Sequence, residues 1–134
     1  MTPKIFEYNL LIKEAHLDTF GHVNNAKYLE LLEEARWDLI TQNSYGLKEV
    51  MAKKIGPVIL EVNLKFRKEL KLREKIKVLT SCKKHEGKIG TIEQKIINEK
   101  GEESAIAVFT YALFDLAQRK IIDPTPEWLK AIGY

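Results

Sequence analysis

A single stretch of helical period stands among runs of period two in this 134-residue chain. Over residues 25–42, Tyr28, Leu29, Leu32, Ala35, Leu39 and Ile40 recur at the spacing of one helix face. Lys27, Glu30, Glu33, Glu34 and Asp38 take the other side. Asn24 or Asn25 can cap the start, because an Asn side chain accepts from free first-turn N–H groups. Asn43, Ser44 and Gly46 supply the stop.

Everything else alternates. Phe6, Tyr8, Leu10 and Ile12 share one face, with Glu7, Asn9 and Lys13 opposite. After Pro57, Val58, Leu60, Val62, Leu64 and Phe66 alternate with Glu61, Asn63, Lys65 and Arg67. Residues 74–83 read as a strand with Ile76, Val78 and Cys82 on one face, and His85-Glu86-Gly87 as a turn. Strands at 89–98 and 104–115 flank a tight turn at Lys100-Gly101. No proline falls inside these runs. The order is strand, one long helix, then four strands. One helix must cover the whole sheet, so the expected architecture is α+β: an antiparallel sheet of about five strands wrapped around one long central helix. Residues 1–134 read as one domain, without repeats or linkers. Apolar positions left over on the sheet imply association with further copies, as a homodimer or homotetramer.

Composition narrows the function. No run of about 18 apolar residues exists, so no membrane span is expected. The first nine residues lack the apolar core of a signal peptide, which makes a cytoplasmic location the default. A lone cysteine, Cys82, cannot form an internal disulfide and reads as core. Three histidines without metal-ligand spacing predict no metal site. A net charge of +3 is too weak to imply nucleic acid but suits an anionic small ligand.

The informative segment runs from His16 to Glu30. It places a carboxylate, Asp18, then Phe20, Gly21, His22, Val23, Asn24 and Asn25 just ahead of the helix. A helix start offers unpaired N–H groups and a partial positive charge, which can polarise a carbonyl and hold an oxyanion. A carboxylate one turn away can attack that carbonyl or take a proton from water. Gly21 lets the chain turn tightly between them. Tyr28 and Leu32, with Phe20, are candidates to line an acyl pocket. Arg36 is expected to pair with a neighbouring acid or a second subunit. Lys65, Arg67, Lys68, Lys71, Arg73, Lys75 and Lys77 form a basic stretch, either a solvated edge or, with Lys88, a surface for phosphates.

The pattern Asp-x-x-Gly-His-Val-Asn-Asn-x-x-Tyr at 18–28, followed by Leu-Glu-Glu-Ala-Arg-Trp-Asp at 32–38, resembles the 4-hydroxybenzoyl-CoA thioesterase type of hotdog protein. It is most similar to the bacterial long-chain acyl-CoA thioesterase III subgroup, and the resemblance continues through 63–67, 87–90 and 114–116. It implies that Asp18 is the catalytic carboxylate and that His22, Asn24 and Asn25 complete the catalytic loop. It also implies that the helix start binds the thioester carbonyl and that coenzyme A lies along a subunit interface. The substrate would be an acyl-CoA, with acyl carrier protein as a further possible donor, and no metal or redox cofactor. Two other readings stay open: a hotdog hydratase or dehydratase using Asp18 with His22, and a non-catalytic acyl-thioester binding protein.

Overall fold

The computed structural model describes residues 4–134. Residues 1–3 of the N-terminal segment lie outside this range. The elements are β1 (Phe6–Leu11), a 3-10 turn (Glu14–His16), α1 (Asn25–Gln42), α2 (Leu47–Lys53), β2 (Ile55–Phe66), β3 (Lys75–Glu86), β4 (Ile89–Ile97), β5 (Glu103–Asp115), β6 (Lys120–Ile122) and α3 (Pro126–Ala131).

The strands form one antiparallel sheet in the order β1-β3-β4-β5-β2. β6 extends it on β5, at Leu113–Asp115, beyond the last β4 pair at Ala112. α1 lays Tyr28, Leu31, Leu32, Ala35, Leu39 and Ile40 into one continuous core with the inner faces of β3, β4 and β5. This is the hotdog architecture, a sheet curled around one principal helix. It carries six strands rather than about five, because the three-residue β6 is too short to show a period.

Two short helices also escape the periodicity argument. α2 has seven residues and buries only Val50, so it has no apolar stripe to read. α3 did carry a signal: the Thr125 hydroxyl accepts from the Trp128 N–H at 3.3 Å, and Pro126 occupies the first turn. Trp128 then drops into the core at 2% exposure. The ends of the described chain meet, with the Lys4 N–H donating to the Gly133 carbonyl at 3.2 Å.

The ladders shift register in three places, between Ile59 and Glu61, between Cys82 and Lys84, and between Ile96 and Ile97, and the first two change which side chains face inward. In β2 the register slips between Ile59 and Glu61. Ile59 pairs with Tyr111 and Val62 with Phe109, both inner-face residues, while Val58 pairs with outer-face Ala112. Val58 and Leu60 therefore do not share a face with Val62, Leu64 and Phe66, because the bulge inserts one residue. Pro57 lies inside β2, tolerated because β2 is an edge strand bonded only to β5. In β3 a second bulge between Cys82 and Lys84 extends the strand through His85 and Glu86. It turns His85 inward, where Nε2 lies 2.5 Å from the Tyr111 hydroxyl. The turn itself is Gly87-Lys88, one step later than periodicity places it.

Candidate active site

The loop between the 3-10 turn and α1 is closed by its own backbone. Asp18 N–H donates to the His22 carbonyl at 2.8 Å, and Gly21 N–H to the Asp18 carbonyl at 3.2 Å. Leu17 and Val23 bridge the base of the loop. Gly21 holds φ +83°, a left-handed conformation natural to glycine, with open space around it. The Asp18 carboxylate is fixed through one oxygen: Oδ1 accepts from Phe20 N–H at 2.9 Å and His22 N–H at 3.2 Å. Oδ2 has no hydrogen-bond partner among the described residues.

Helix α1 begins beside this loop. Asn24 N–H donates to the His16 carbonyl, and the Asn24 side chain accepts from Ala26 N–H at 2.9 Å, which makes Asn24 the N-cap. The cap leaves the Asn25 N–H without a partner among the described residues. Asp18, His22, Val23, Asn25 and Tyr28 line a common open cleft of about 290 Å³. Phe66, Arg67, Lys68 and Glu69, at and after the end of β2, form its other wall. Tyr28 is buried and meets the Phe66 ring edge-on, with centroids 4.9 Å apart. Burial holds its phenol above the ordinary range, so it stays neutral.

The remaining candidate residues divide between this cleft and other places. His22 turns to Glu69, with Nε2 to Oε2 at 2.6 Å, both side chains half-exposed. Phe20 is 83% exposed at the loop tip and does not line the cleft. Leu32 is buried on the sheet-facing side of α1, and its carbonyl accepts from Gln94. Lys65 is exposed on β2, opposite in phase to Leu64 and Phe66. Arg67 reaches the cleft but pairs with Glu103 at 3.0 Å. Lys68, Arg73 and Lys77 likewise have carboxylate neighbours in Glu102, Glu14 and Glu7. Four of the seven basic residues of the stretch thus have an acidic neighbour within the chain. Lys88, in the β3–β4 turn, lies at the opposite end of the strands from Asp18 within one chain. Arg36 pairs with no acid among the described residues and donates instead to Gln94 Oε1 at 2.9 Å.

Sequence reasoning missed Glu69 and Phe66 as cleft residues. Phe66 was legible only as an alternating strand residue, and nothing local marks Glu69, 47 positions from His22. Among the described residues no group of three His, Cys, Asp or Glu is arranged to hold a metal. No helix there is long and apolar enough to cross a membrane.

A hotdog sheet around α1, with a carboxylate and an uncapped helix start lining one cleft, defines the class: residues 13–132 match the Thioesterase-like superfamily, and the chain belongs to it. The long-chain acyl-CoA thioesterase FadM of Escherichia coli is 35% identical over 112 residues, covering 83% of this chain and 84% of that protein. The crystal structure of the probable thioesterase YbaW from Escherichia coli superposes with TM-score 0.84 at 30% identity, covering 96% of this chain and 98% of that one. SAV2348 of Staphylococcus aureus, solved in complex with CoA, shares the fold at TM-score 0.89 and 15% identity, covering 98% of this chain and 84% of that one.

Proposed function

We propose that the chain hydrolyses acyl-CoA, releasing a free acid and coenzyme A, with medium- or long-chain fatty acyl groups as substrates. One observation carries the reading: Asp18, whose Oδ2 is free, and Asn25, whose N–H is unpartnered, line one cleft. The N–H polarises the thioester carbonyl and holds the oxyanion. Asp18 either attacks the carbonyl carbon or takes a proton from the attacking water. The carbon–sulfur bond then breaks and the thiolate leaves as coenzyme A; after direct attack, water hydrolyses the acyl–Asp18 anhydride, which frees the acid and restores the carboxylate. His22 orders the loop through Glu69 rather than acting on substrate, which disfavours a hydratase. The long-chain preference is supported by the likeness to FadM.

The chemistry needs water, a carboxylate and N–H donors, but no metal or redox cofactor, so treatment with a chelator should leave the rate unchanged. The active form is a homo-oligomer, paired through the free edge of β2. An antiparallel pairing there reverses strand direction, bringing the Lys88 end of one copy toward the Asp18 end of the next. That arrangement supports coenzyme A lying across the interface.

The test is thiol release from a panel of acetyl-, octanoyl-, palmitoyl- and 4-hydroxybenzoyl-CoA. Palmitoyl-CoA should give the highest kcat/KM, since each buried methylene contributes roughly 0.8 kcal/mol. Release from none of them would leave the binding-protein reading in its place.

A further inference from the structure

Helix α3 packs at the C-terminal end of α1, away from the Asp18 cleft. Its Trp128 is buried and meets the Tyr45 ring edge-on, with centroids 5.3 Å apart. The Trp128 Nε1–H donates to the Tyr111 hydroxyl at 3.1 Å. Among the described residues this is the only side-chain hydrogen bond from α3 to the sheet. His85 sits on the far side of the same hydroxyl through Nε2, and its ring packs against Tyr134, with centroids 5.4 Å apart. Gly90 makes the room: a Cβ there would lie 2.6 Å from Tyr111 Cε1 and 2.7 Å from His85 Nε2.

This chain of bonds ends on an orphan. His85 Nδ1 is buried and has no hydrogen-bond partner among the described residues. A phenol oxygen has one hydrogen and room for two donors, of which Trp128 is one. If Tyr111 donates to Nε2, the neutral ring carries its hydrogen on Nδ1, buried without an acceptor. If Nε2 donates to Tyr111, Nδ1 keeps a bare lone pair. Either state leaves one neutral atom unmatched. The imidazolium is worse placed, because it adds a full charge and an Nδ1–H that nothing accepts. Tyr111 of β5 and Tyr134 of the turn after α3 face the ring, and Cys82 of β3 adjoins Tyr111. β4 presents Gly90 and α3 presents Trp128. None of these is a carboxylate. Lys84 and Glu86, on the other face of β3, pair with each other at 2.9 Å. Burial accordingly holds the His85 ring below the usual histidine range.

The ring has a way out. β1 pairs with β3 only as far as Thr80, so the last residues of β3 are bonded on the β4 side alone. His85 itself is only partly buried. Its withdrawal would leave a hollow against Tyr111 and take from Tyr134 the ring it packs on, which weakens the seat of α3.

We propose that His85 is a proton-operated latch on α3: protonation withdraws its ring from Tyr111, and α3 with residues 132–134 opens while the rest of the fold stays closed. The Asn43 side chain, which donates to the Ala131 carbonyl at 2.6 Å, does not titrate and tethers the opened segment. The latch is independent of what the Asp18 cleft binds.

Amide hydrogen exchange read by mass spectrometry tests it, with rates corrected for the pH dependence of the unstructured chain. At pH 7.5 both α1 and residues 126–134 should be protected. At pH 5.0 residues 126–134 should exchange within about tenfold of the unstructured rate, while α1 stays at least about a hundredfold slower. His85→Gln keeps a side-chain amide for Tyr111 and does not titrate in this range, so its 126–134 segment should stay protected at pH 5.0. In the unmodified protein, the His85 ring, told from His16 and His22 by its NMR contacts to Tyr111, should titrate with the midpoint of the opening. Exchange of residues 126–134 that does not respond to pH overturns the proposal, as does opening of that segment and α1 together. A ring titration more than one pH unit from the opening overturns it even if the variant does not fold, and so does acid opening that persists in folded His85→Gln.

Discussion

Asp18 uses its two carboxylate oxygens for different ends, which separates its structural role from its chemistry. Oδ1 anchors the loop and Oδ2 is free. Asp18→Asn retains an acceptor for the two loop N–H groups but loses the charge. The fold should persist while kcat falls roughly 10²–10⁴-fold, the scale of a lost general base. Normal turnover by Asp18→Asn would end the catalytic assignment. His22 provides the contrast. Its pair with Glu69 is half-exposed, and such pairs contribute only about 0–1 kcal/mol. His22→Ala should keep kcat within a few-fold, as steady-state thiol release would show. His85 offers a pH prediction. Burial lowers its pKa below the ordinary 6.5. The unfolded chain therefore takes up this proton at a higher pH than the folded one, and stability falls as pH drops from about 6.5 toward the folded value. Melting curves at pH 7.5 and 5.5 should show the loss, and His85→Gln should reduce it.

At the level of elements, the Asn24 cap decides how cleanly α1 starts. Asn24→Ala should cost about 1 kcal/mol, lowering Tm by roughly 3–5 °C in calorimetry. The effect on kcat should exceed what that stability loss explains, because fraying would misplace the Asn25 N–H. The caps, the long helix and the period-two strands were all legible in the sequence, because each is a local pattern. The bulges were not. One extra residue at Leu60 and one at Lys83 shift phase without changing composition, and only pairing with β5 or β4 reveals them. Asp18, Gly21, Asn24 and Asn25 were legible because they adjoin one helix start. Phe66 and Glu69 reach the cleft only through the curl of the sheet. Arg36 was read as one half of an ion pair, since a charged residue suggests an acid, whereas its contacts come from buried Gln94 and Phe109.

For the whole molecule, the decisive feature is the uncovered edge of β2. Ile59, Leu60, Val62 and Phe66 are all substantially exposed on a strand paired on one side only. Such an edge invites a second strand. Leu60 is the bulge residue and has no partner on β5, so Leu60→Lys should spare the monomer fold while disfavouring association. Light scattering at micromolar concentration should report an oligomer for the unmodified chain and a smaller species for the variant. A fully active, monomeric unmodified chain would refute the pairing. The same uncovered edge has a consequence for how heat resistance is measured. If folding is linked by mass action to self-association, no single melting temperature describes the protein. Dilution draws the equilibrium toward free chains, and these unfold sooner. Each tenfold increase in concentration should raise the midpoint by roughly 2–4 °C.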